Sequence, residues 1–141
     1  MVRFWGEFHS ARILIPIFDV EDLPGMIPII AAVNAAGEHH IQVLLLLSST
    51  TRQQEAEKKE RELTSWLEEN AAELEMEVEP VITHSRLEVI EDAAQHADLL
   101  IMHGTPASRV GKFLFGSLVD SVSVRIRKTL LVVYNGEKTV T

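Results

Sequence analysis

Apolar residues in this chain take two forms: short unbroken runs, and longer stretches where they recur every three or four positions. The runs are RILIPI at Arg12–Ile17, IQVLLLLSS at Ile41–Ser49, LLIM at Leu99–Met102 and TLLVVY at Thr129–Tyr134. Runs of this length without alternation suit strands buried on both faces of a parallel sheet. Pro16 belongs near the end of the first, because proline donates nothing to a sheet ladder. A fifth segment, MEVEPVIT at Met76–Thr83, alternates instead, and Glu77, Glu79 and Pro80 predict a strand nearer an edge.

Helical spacing fills the intervals. Met26–Gly37 is a helix if Pro28 lies in its first turn, with Gly37 as a natural stop. Arg52–Leu74 is the longest, with Leu63, Trp66, Leu67, Ala71 and Leu74 on one stripe and Glu55/Lys59, Glu57/Arg61 and Lys58/Glu62 on solvated faces. Ser85 with Glu88 spells a capping box for a helix carrying Leu87, Ile90, Ala94 and Ala97 on one side. A fourth helix runs from Ser117, its cap, to about Lys128, with Asp120 reaching back and Val119, Val122 and Ile126 as the buried stripe.

Strand and helix alternating five times over predict an α/β fold: an open five-stranded parallel sheet, helices on both faces, right-handed crossovers and order 3-2-1-4-5. Strand order reverses between strands one and four, so the loops after Ile17 and Met102 face one crevice, the default ligand site. Residues 1–141 make one domain, with an arm at 1–11, a core at 12–134 and a tail at 135–141. Phe4 and Trp5 in the arm are expected to pack on their own domain.

Composition narrows the chemistry. The absence of cysteine among 141 residues removes thiol catalysis and Cys-ligated metal, and fits a reducing compartment. A net charge of -8 gives a field that repels nucleic acid and anionic membranes. Met1–Arg12 lacks the apolar core of a signal peptide, and a cytoplasmic location is expected.

One loop stands out against the acidic background. After Leu99–Met102 the chain turns polar and cationic through His103, Gly104, Thr105, Ser108, Arg109, Gly111 and Lys112 before the helix at Ser117. Cations and hydroxyls beside a helix start make an anion site. It is not a P-loop: six residues separate Gly104 from Gly111 where four are needed, and Phe113 replaces the magnesium-binding hydroxyl. The six histidines, His9, His39, His40, His84, His96 and His103, show no metal-ligand spacing, and no G-x-S-x-G elbow marks a nucleophile. His103, at the strand end, either contacts a ligand or fills space beside Phe18.

From Arg12 to Tyr134 the chain resembles the universal stress protein family. The resemblance rests on ADLLIMH, on GS thirteen residues after His103, on the helix and LLVV that follow, and on RILIPI as the first strand. It implies a Rossmann-like fold of the adenine nucleotide alpha hydrolase type. Two loop glycines of that family fall on His103 and Pro106 in an ungapped alignment, while Gly116 and Ser117 keep their identity. Phe18 stands where the family has an adenine-side aspartate, with Asp19 one step later. Proline has no donor for a phosphate, and histidine adds bulk where a glycine lets backbone amides approach.

The resemblance further implies an adenine-type nucleotide, ATP, AMP or a cyclic nucleotide, bound without efficient turnover. Pro16, Phe18, Asp19 and Leu47 would line the base side, and His103, Gly104, Thr105, Arg109, Lys112, Gly116 and Ser117 the phosphate side. Mg2+ is compatible with such a ligand, though no residue pattern calls for it. A homodimer through Thr129–Tyr134 is expected. PIFDVEDLPG is also similar to divergent members appended to membrane transporters, which makes a transporter a candidate partner. Two rival readings stand beside this one: a dimerisation module with a decayed site, and a weak nucleotide hydrolase.

Overall fold

The computed structural model describes residues 11–35, 37, 39–104, 122 and 129–134. Within them lie β1 (Arg12–Ile17), α1 (Ile27–Asn34), β2 (His40–Leu47), α2 (Gln53–Asn70), β3 (Glu77–Ile82), α3 (Arg86–Ala94), β4 (Leu99–Gly104) and β5 (Thr129–Tyr134). The strands form one parallel sheet in the order β3-β2-β1-β4-β5. This is the predicted order; it puts β2, β1 and β4 in the middle, the Glu77/Glu79/Pro80 strand at one edge, and β5, whose unbroken run is half-exposed rather than buried on both faces, at the other.

Two cores result, one on each face of the sheet. Ile13, Ile15 and Ile17 of β1 and Ile41, Val43, Leu45 and Leu47 of β2 pack with Met26 and Ile30 and with Ala56, Leu63 and Leu67 of α2. On the other face Leu14, Leu44, Leu46, Leu100 and Met102 pack with Ile90 and Ala94 of α3 and with Val122. The segregation follows from handedness. Right-handed crossovers that step one way from β1 to β3 and back toward β5 put their helices on opposite faces. Each fully buried Leu or Ile contributes roughly 1.5–3 kcal/mol.

Local details differ from the sequence reading: the longest helix, expected to reach Leu74, ends at Asn70, and a 3-10 turn at Ala72–Leu74 follows it. Pro28 does sit in the first turn of α1, but the helix stops at Asn34, and Ala35 rather than Gly37 closes it in right-handed geometry. A 3-10 turn at Pro24–Met26 leads into it. Ser85 takes the cap position of α3 but makes no side-chain cap bond. Instead its N–H donates to Thr83 Oγ1 at 2.9 Å, and the Thr83 hydroxyl donates to the Ser85 carbonyl at 3.3 Å. Finally β4 runs through His103 and Gly104, which pair with Val133 and Tyr134, so the strand outlasts the apolar run by two residues. Main-chain pairing to β5 extends the strand regardless of side-chain polarity.

Residues 1–10 and 135–141 lie outside the described residues, as do Thr105, Arg109, Lys112, Gly116, Ser117, and the positions 119 and 126 of the last predicted helix. Val122 alone represents that helix; it is helical and buried, as its stripe requires.

Candidate functional site

β1 holds its two neighbours unequally. With β2 it pairs over its whole length, from Arg12 opposite His40 to Ile17 opposite Leu45. With β4 it pairs only at Ile13–Leu99 and Leu14–Leu100. The amino end of this second ladder is clamped: the Asp98 N–H donates to the Arg12 carbonyl, and the Arg12 N–H donates to Asp98 Oδ2, both at 2.8 Å. Toward the carboxyl end the ladder lacks its next donor: Arg12 turns its N–H and carbonyl toward Asp98, so by alternation Leu14 and Pro16 also face β4, and Pro16 has no N–H to give.

Sequence-chosen residues meet at this edge. Pro16 is buried in β1, and Leu47, buried, ends β2, where its carbonyl accepts from Thr83 N–H at 2.9 Å. Phe18 and Asp19 follow β1 directly, and His103 and Gly104 end β4. Alternation separates the two aromatic groups. His103 pairs with Val133, which packs on the core of Ile17 and Leu47, whereas Phe18 packs on the core of Leu14 and Met102. His103 is 9% exposed, a buried position on the α1/α2 face.

Two residues that the sequence reading passed over organise the loop after β1. Asp22 Oδ2 accepts from the N–H groups of Phe18 at 3.1 Å and Asp19 at 3.2 Å, and the Asp22 N–H donates to the Asp19 carbonyl at 3.0 Å. A carboxylate of the chain itself thus occupies the amide pair at the end of β1, leaving the Asp19 side chain exposed to solvent. The D-x-x-D spacing was the available signal, since an Asp three or four residues on is placed to cap such amides. The second is Arg86. Its guanidinium carbon lies 4.5 Å from the centroid of the Phe18 ring, a cation–π contact between the first residue of α3 and the loop after β1. Arginine in a first helical turn, where the dipole disfavours cations, was its sequence signal.

The opposite, amino edge offers a different chemistry. A groove there of about 600 Å³ is lined by Asn34, Gly37, His39, His40, Glu73 and Glu75, among others. Among the described residues no group of three or more His, Asp or Glu side chains is placed to hold a metal ion. No helix among them is long and apolar enough to cross a membrane.

The fold has solved counterparts. A universal stress protein crystallised in complex with cAMP superposes with a TM-score of 0.58 at 16% identity, over 87% of this chain and 96% of that one. The universal stress protein UspA from Lactobacillus plantarum gives 0.57 at 14% identity, over 87% and 97%. At these identities the likeness is one of fold, and this chain has the universal stress protein fold. No protein-family model and no curated protein sequence matches the chain.

Proposed function

We propose that the chain is a regulatory domain that binds an adenine-type nucleotide, ATP, AMP or a cyclic nucleotide, in the crevice between β1 and β4, and does so without efficient turnover. The observation that carries this reading is the reversal of strand order at β1 and β4, with Phe18 and Asp19 following β1 and His103 and Gly104 ending β4 at the same edge of the sheet. Open parallel sheets bind ligands where strand order reverses, beyond the carboxyl ends of the strands. A cAMP complex of a protein of the same fold supports the ligand class. Pro16, Leu47, His103 and Gly104 would border the ligand, and Thr105, Arg109, Lys112, Gly116 and Ser117 complete its phosphate side. Calorimetry with ATP, AMP and cAMP on the purified protein tests the reading, and saturable binding of one of them is expected.

The same domain would report occupancy as a homodimer through β5. That strand lies at the sheet edge, with Leu131 36% exposed, and an apolar edge of this kind calls for cover. A membrane transporter as recipient of the report belongs to this reading and rests on the loop resemblance of PIFDVEDLPG alone. The cytoplasm is the matching location.

A further inference from the structure

We propose that Arg86, seated against the Phe18 ring, is an anion-contacting residue of the crevice, so that the site prefers phosphorylated ligands. The inference deepens the nucleotide reading above and rests on it.

Four observations lead there. The guanidinium sits 4.5 Å from the Phe18 ring centroid, and Phe18 directly follows the strand at which the β1–β4 ladder opens. Arg86 is itself exposed, so its guanidinium remains accessible while it contacts the ring. A guanidinium carries a fixed fork of donors that can pair with two oxygens of one phosphate. The main chain that carries it is also fixed, because the Thr83 hydroxyl bonds both the N–H and the carbonyl of Ser85, the residue before it.

Helix stability does not account for an arginine here. As the first residue of α3 it faces the positive end of the helix dipole, which favours an acid at that position. The acid beside Phe18 in the loop, Asp22, is engaged by the Phe18 and Asp19 amides. Phe18, for its part, packs on the core of Leu14, Leu44 and Met102 and carries the guanidinium above it. Its role is then to support a cation, and the base of a nucleotide stacks elsewhere.

The test compares AMP with adenosine by calorimetry on the wild-type chain and on Arg86→Ala, Arg86→Lys and Phe18→Leu, with Lys58→Ala on the exposed face of α2 as control. Wild type and Lys58→Ala are expected to bind AMP at least tenfold more tightly than adenosine. Arg86→Ala should lose about tenfold for AMP with adenosine unchanged. Arg86→Lys, which keeps charge without the planar fork, and Phe18→Leu, which removes the platform, should each fall between. AMP binding equal in wild type and Arg86→Ala overturns the inference and leaves the nucleotide reading standing. Failure of wild type to bind AMP and adenosine, with ATP and cAMP titrated in parallel also giving no binding at millimolar concentration, overturns both. Circular dichroism melts that match wild type show that a variant's lost affinity is not lost folding.

Discussion

The two ladders of β1 are built from similar residues and end differently. Toward β2, six residue pairs run from Arg12–His40 to Ile17–Leu45; toward β4, two pairs at Ile13–Leu99 and Leu14–Leu100 suffice. Hydrophobicity does not explain the contrast, because Leu44 and Leu46 on one side and Leu100 and Met102 on the other are all buried in one core. Main-chain chemistry does. The N–H and carbonyl of Arg12 face Asp98, so Leu14 and Pro16 face β4 by alternation, and Pro16 has no N–H with which to continue that ladder, while the β2 side draws on Ile13, Ile15 and Ile17. The ladder ends where strand order reverses, the place at which open parallel sheets take ligands.

Breaking the closed side should cost most. Leu45→Ala removes a fully buried side chain from the fully paired ladder, and an expected loss of roughly 2–5 kcal/mol is measurable by urea denaturation. A loss under 1 kcal/mol would mean that the β1–β2 side is not the rigid half of the molecule. On the open side, Arg109→Ala combined with Lys112→Ala should leave stability alone and weaken a phosphorylated ligand, each charge-assisted contact being worth about 1.5–3 kcal/mol. Unchanged affinity would remove both residues from the site.

Smaller effects sharpen the same contrast. Asp98→Ala opens the clamp at the amino end of the β1–β4 ladder and should destabilise by about 1 kcal/mol without changing ligand affinity, since the bond is exposed and far from the carboxyl edge. Asp22→Ala should do the reverse. Its stability cost should be under about 1 kcal/mol, because solvent can reach the freed Phe18 and Asp19 amides, while affinity for an anionic ligand rises as those amides lose their internal acceptor. Equal effects of the two substitutions on affinity would erase the distinction between the ends. On the far edge, Leu131→Lys should shift any dimer to monomer in sedimentation.

Much of this was legible in the residues. Unbroken apolar runs identified β1, β2, β4 and β5 as strands, and Glu77, Glu79 and Pro80 identified one edge; the run of β5 hid the other, because its apolar residues sit half-exposed at the sheet edge. The crevice followed from strand order alone. What escaped was held by contacts that no periodicity encodes. His103 and Gly104 joined β4 through main-chain pairing to β5, to which side-chain polarity is blind. Ser85 sits at a cap position, yet the neighbouring Thr83 hydroxyl takes over its hydrogen bonding. Arg86 and Phe18 meet only once the crossover from β3 brings α3 back over the sheet, so neither residue announces the other in sequence.

The central claim is that the carboxyl edge where β1 and β4 meet is a nucleotide site, and calorimetric titration of the purified chain with AMP, ATP and cAMP addresses it most directly. Saturable one-site binding of at least one of them, lost in the Arg109→Ala, Lys112→Ala variant, is the predicted result. No heat of binding from any of the three at millimolar concentration would contradict it, and would leave the chain a dimerisation module with an empty crevice.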